Sequence, residues 1–72
     1  MIDELEDKAE ITWEFCKLMR KTRYGKHISM MEYSKDDYGE YVTVTYDNGS
    51  IKKVDVTADS GSALIMDVLS HI

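Results

Sequence analysis

The segment Tyr41–Thr57, YVTVTYDNGSIKKVDVT, decides how the rest of the chain must fold. Two runs rich in valine, threonine and tyrosine flank Asp47-Asn48-Gly49, and a turn signal between such runs reads as a β-hairpin. The side chains also choose its register. A two-residue loop at Asn48-Gly49 would set Val44 against Lys53 and Val42 against Asp55, mixing apolar and charged groups on one face. A three-residue loop, with Gly49 in the left-handed conformation, pairs Val42 with Val54 and Val44 with Lys52 instead. Val56 then joins the valine face, while Thr43, Thr45, Ile51, Lys53 and Asp55 take the other. A slip of one residue would turn every valine to water, so the three-residue loop is expected.

Such a half-apolar sheet needs helices on its valine side, and the flanking sequence supplies two. Upstream, residues Ile2 to about Thr22 suit a helix: Leu5, Ala9, Thr12, Cys16 and Met19 recur at spacings of four and three, with Ile11, Phe15 and Leu18 alongside. Asp3, Glu6, Glu10, Glu14, Lys17 and Lys21 fall opposite. The apolar arc widens in the second half, where Trp13, Phe15 and Leu18 exceed what a sheet alone would cover. They are candidates for a dimer face or for contact with the second helix. Acids lead this helix and Lys17, Arg20, Lys21 and Arg23 end it, complementing the helix dipole. Tyr24-Gly25 is read as the stop, with Gly25 a left-handed C-cap.

His27–Tyr33, HISMMEY, is the expected first strand, with apolar groups on both faces, so alternation alone does not choose its inner side. Ser34–Glu40, SKDDYGE, reads as a loop into the hairpin. After Thr57, ADSGS starts a helix with Asp59 or Ser60 as N-cap, and Leu64, Ile65, Val68, Leu69 and Ile72 form its apolar stripe. The expected fold is α+β: α-β-β-β-α, a three-stranded antiparallel sheet with two helices on one face.

Size and charge bound the function. The 72 residues make one domain, which buries only about 60% of its unfolded surface. A single cysteine, Cys16, forms no internal disulfide and suits a reducing compartment. Met1-Ile2-Asp3-Glu4 is acidic where a secretory signal is basic, and no apolar run approaches membrane-spanning length, so a soluble cytoplasmic chain is expected. The net charge of −5 argues against direct binding to nucleic acid.

No catalytic or metal constellation emerges, so neither an enzyme nor a cofactor is expected. Cys16 lies among core-facing positions with no histidine at a local spacing, and reads as a small buried hydrophobe. His27 and His71 are isolated. Asp59-Ser60-Gly61-Ser62 opens a helix without a lysine, which favours capping over phosphate binding. The basic run Lys17–Lys26 could grip an acidic surface, but its residues are those the helix dipole calls for.

The densest unusual feature is Tyr33–Tyr41, YSKDDYGEY, where Tyr33, Tyr38 and Tyr41 interleave with Asp36, Asp37 and Glu40. Tyrosine gives rigid contact area, and carboxylates can engage arginines that otherwise hold phosphates or base edges. Asp36, Asp37, Tyr38 and Glu40 are therefore the candidate partner-binding residues, with Asp47 and Asp55 of the hairpin as additions. The competing reading is a polar loop whose tyrosines cover a sheet edge.

Two resemblances attach to these features. The helix–three strands–helix order resembles a double-stranded-RNA-binding domain, but that family carries basic residues at the start of its last helix, where this chain has Asp59-Ser60-Gly61-Ser62-Ala63. Size, acidic balance and Asp36-Asp37-Tyr38-Gly39-Glu40 beside a three-stranded sheet resemble small acidic proteins of phages and mobile elements, in particular anti-CRISPR inhibitors. That resemblance implies a non-enzymatic inhibitor occupying the nucleic-acid site of an effector nuclease, with a protein as partner. The alternatives from the residues themselves are a homodimeric interaction module or an RNA-binding-domain-like fold.

Overall fold

The elements follow the expected order: α1 (Lys8–Met19), β1 (Ile28–Lys35), β2 (Glu40–Tyr46), β3 (Ile51–Asp55) and α2 (Gly61–His71). The structure, a computed structural model, describes residues 7–72. The expected start of the first helix at Ile2, with Asp3, Leu5 and Glu6, lies outside those residues.

The hairpin takes the register its valines require. Gly49 has φ +90°, its N–H donates to the Tyr46 carbonyl at 2.9 Å, and the Tyr46 N–H donates to Ser50 O at 2.9 Å. Val42 lies opposite Val54 and Val44 opposite Lys52. Lys52 thus points to the apolar side from an edge strand. Its stem runs outward and its ammonium donates to the His71 carbonyl at 2.9 Å, where a cation complements the end of α2.

β1 joins the other side of β2, giving the antiparallel order β1-β2-β3. Its inner face is set by a bulge. Ile28 pairs with Tyr46, but Met30 pairs with Thr45, so Ser29 is one residue too many. In a regular strand Ile28 and Met31 would face opposite sides. The extra residue turns both inward, where both are buried, and sends Met30 out.

Asp7 caps α1 through Oδ1, which accepts from the Ala9 and Glu10 N–H groups at 3.1 and 3.2 Å. Thr12, Cys16 and Met19 are its buried face, and the Thr12 hydroxyl donates to Lys8 O at 2.7 Å. The end of this helix differs from expectation. It stops at Met19 instead of Thr22, and Gly25 is not in the left-handed region. Thr22 Oγ1 donates back to Met19 O at 2.7 Å and accepts from the Gly25 N–H at 3.2 Å. This tight turn presses Gly25 onto the last helical residue. A Cβ there would sit 2.2 Å from the Met19 carbonyl oxygen, so close approach is what demands glycine.

Ser60, not Asp59, caps α2, accepting from the Ala63 N–H at 3.2 Å. Leu64 and Val68 then meet Cys16, Met19, Ile28, Met31, Val42, Val44, Val54 and Val56 in one core. α1 lies on β1, α2 on β3, and the helices touch along a seam. Both therefore cover the valine face. The opposite face carries the rows Met30–Thr45–Ile51, Glu32–Thr43–Lys53 and Ser34–Tyr41–Asp55.

The two glycines make a contrasting pair. Gly25→Ala should lower stability by about 3 kcal/mol, the upper end for forcing atoms into filled space. Gly49→Ala meets open space and should lose only about 1–2 kcal/mol, from its left-handed backbone. Urea unfolding of both variants checks the order.

Candidate functional site

Folding divides the tyrosine-and-acid stretch into a tip and a base. The tip is the connection between β1 and β2. Asp36 shapes it: its Oδ1 accepts from the Tyr38 and Gly39 N–H groups at 2.8 and 3.0 Å, and its own N–H donates to Gly39 O at 2.9 Å. Asp37 and Tyr38 stand at the apex, and Tyr38 is 90% exposed. Among the described residues the ion pairs are Lys8–Glu40 and Lys17–Glu14, and neither reaches this tip.

Glu40 forms the base, and here the expectation needs correction. It is only 9% exposed. Its Oε1 accepts from Lys8 Nζ at 2.8 Å and from the Ala58 N–H at 2.9 Å, and its Oε2 accepts from the Tyr33 hydroxyl at 2.6 Å. The Glu40 N–H donates to Thr57 Oγ1 at 2.9 Å, and its carbonyl accepts from the Val56 N–H at 2.9 Å. One carboxylate thus ties the start of α1, β1, β2 and the turn into α2. Hydrogen bonds from Lys8, then Tyr33, then the Ala58 N–H hold its pKa down at about 2. Burial, then the bond to Glu40, pushes the Tyr33 phenol up to about 12. Glu40 and Tyr33 are structural, and neither is offered to a partner.

The hairpin acids separate. Asp55 lies across from Tyr41, at the same end of the sheet as the tip, and is exposed. Its Oδ1 accepts from the Thr57 N–H at 2.9 Å, and hydrogen bonds from the Thr57 side chain and backbone lower its pKa. Asp47 lies at the other end, where its N–H donates to His27 O at 2.8 Å. At about 3.3 Å per residue, β2 separates the two ends by roughly 20 Å, so Asp47 is not brought to the tip. Tyr41 faces the open side of the sheet with Lys53 Nζ 4.4 Å from its ring centroid.

The three proposed dimer-face residues also part company. Phe15 and Leu18 line a groove between the helices with Ile11 and Ile65. Trp13 is two residues from Phe15 and five from Leu18, and at about 100° per residue this places it on the opposite flank of α1. There it lies by Lys17, whose Nζ is 5.5 Å from the ring centroid.

Cys16 is buried in the core, and the two histidines lie apart, His27 beside the hairpin turn and His71 at the end of α2. Among the described residues no group of three or more histidine, cysteine, aspartate or glutamate side chains could hold a metal ion, and no helix is long and apolar enough to cross a membrane.

Two features escaped sequence reasoning. One is the Glu40 node, although Lys8 was conspicuous as the lone cation among the acids that open the chain. The other is the pair Asp59 and Asp67. Asp59 Oδ2 is buried and accepts no hydrogen bond from the described residues. The Asp67 side chain, to which a protonated Asp59 can donate, then burial, then repulsion from Asp67 raise the Asp59 pKa.

The Glu40 node has a pH signature. A carboxylate whose pKa is depressed on folding contributes stability above its unfolded value, and that contribution is lost as pH falls through the folded one. The natural chain should therefore exceed Glu40→Gln in stability at neutral pH, with the gap closing between pH 4.5 and about 2. Thermal melts of the pair across this range measure it, and a gap independent of pH would contradict the assignment.

Compared with protein-family models, with curated proteins and with solved structures, the chain gives no match, so its site must be read from its own residues.

Proposed function

We propose that this chain is a non-enzymatic binding protein, a stoichiometric inhibitor of a nucleic-acid-handling enzyme such as a CRISPR effector nuclease. It would act by presenting Asp36, Asp37, Tyr38 and Asp55 to a basic groove. The supporting observation is the tip itself, a projecting tyrosine and aspartate on a turn braced by the hydrogen bonds of Asp36 to Tyr38 and Gly39. A loop ordered beforehand loses little conformational freedom on binding. Arginines that grip phosphate accept carboxylate in the same bidentate geometry, and a tyrosine ring can lie on a guanidinium face. The net charge of −5 would steer encounter with a cationic groove. Glu40 contributes only by holding the base of the loop, and Asp47 takes no part.

The test uses the immobilised protein and lysate from its native cell. Captured proteins should be displaced by duplex DNA, and released by salt near 1 M, where the Debye length falls to about 3 Å. Asp37→Asn with Tyr38→Ala leaves the Asp36 turn intact and should weaken capture about tenfold or more, as for a hot spot. Capture that ignores both the DNA and the double substitution would overturn the reading.

A further inference from the structure

Among the described residues, the helical side of the molecule carries a strip that no other element covers. Along α1, Ile11 and Phe15 are half-buried and Leu18 is 62% exposed, and together with Ile65 of α2 they floor a groove. Its rim on α1 is acidic, formed by Asp7, Glu10 and Glu14. Leu18 and Glu14 also belong to the adjoining depression, whose remaining walls are Lys17, Arg20, Lys21 and Lys26. Beyond the end of α1, Tyr24 lines a further hollow with Leu69 and Ile72, and both Tyr24 and Leu69 are exposed. The strip is thus apolar along its floor, acidic at one end, basic at the other, with Leu18 where the two halves meet. An apolar floor rimmed by charged residues is a form that interaction sites take.

The charge pattern selects what covers it. A parallel copy would set acid on acid and base on base. A purely basic helix would suit the first half and be repelled by the second. A second copy of this chain, turned about a two-fold axis perpendicular to α1 near Leu18, meets acid with base at both ends. Such an axis makes the contact isologous, so each favourable pairing occurs twice. Within one chain Lys17 and Glu14 pair with each other at 3.1 Å, which leaves Asp7 and Glu10 at the acidic end and Arg20, Lys21 and Lys26 at the basic end to meet across the axis. We infer that the α1–α2 strip is the interface of an antiparallel homodimer, its apolar floor buried and its acidic and basic rims paired across the axis. Trp13, on the other flank of α1, stays outside this interface. The strip lies on the helical layer and the Asp37–Tyr38 tip at the end of the sheet, so this inference and the proposed function use separate surfaces and fail separately.

Sedimentation of the natural chain up to about 1 mM should show a concentration-dependent dimer that weakens as salt is added. Glu10→Lys with Glu14→Lys makes both rims basic, and Arg20→Glu with Lys21→Glu makes both acidic. Each double variant alone should dimerise about tenfold or more weakly, because like charges then face each other twice. Mixed in equal amounts, the two should recover dimer as a mixed species, which misfolded chains would not do. Leu18→Asp, at an exposed position, should dissociate the dimer without loss of helical circular dichroism. A natural chain that stays monomeric throughout, a dimer indifferent to the charge reversals, or a mixture that recovers nothing would overturn the inference.

Discussion

The pairing of Val42 with Val54 is the constraint from which the other placements follow. Once those two residues face each other on the inner side, alternation sets every second residue of both strands. Moving from Val44 to Val42, the next inward position is Glu40. On β1 the residue opposite Val42 is Tyr33, so its hydroxyl approaches the same end of the inner face. The register thus delivers a carboxylate and a phenol to the edge of the core. Lys8, at the start of α1, completes the node with a cation. A buried carboxylate without such partners would be strongly unfavourable, and hydrogen bonds to both oxygens are what make its position tolerable.

This explains which parts of the fold could be read in advance. The hairpin was legible because its register depends on a few adjacent residues and one glycine. Glu40 was legible too, by the same alternation, had it been taken as the first residue of β2 instead of the last of a loop. The separation of Trp13 from Phe15 and Leu18 was likewise available from helical angles. Other features depended on contacts that no local pattern carries. The Ser29 bulge resolves a strand with apolar groups on both faces, and it forms because Ile28 and Met31 both reach the core. The need for glycine at position 25 arises from the path of the chain after Met19, which turns back on the helix end. Lys8 and Glu40 lie 32 residues apart.

Net charge does not say which acids remain available at the surface, because many of them already have work within the fold. Asp7 holds the first N–H groups of α1, Asp36 shapes a turn, Glu40 ties four segments together, and Asp55 braces the chain leaving β3. Asp59 has its pKa raised by the neighbouring Asp67 side chain and by burial. Sorting acids by what their oxygens already accept leaves a short set facing outward, with Asp37 the clearest member at the tip. That sorting, more than the count of carboxylates, narrows where a cationic partner could be engaged.

The same sorting shows why the committed acids still matter to the outward ones. An exposed aspartate on a mobile loop must be ordered before it can pair with an arginine, at a cost of about 0.5–1.5 kcal/mol for each side chain immobilised. Here Asp36 fixes the turn beneath Asp37 and Tyr38, and Gly39 fits against Thr57, where a Cβ would lie 2.5 Å from Oγ1. Glu40 then anchors the outgoing strand to α1 and to the turn before α2. Asp36 and Glu40, whose oxygens bond within the fold, are therefore the acids that hold Asp37 and Tyr38 in place. A change at Glu40 would be felt at the tip through loss of order, without any contact between Glu40 and a partner.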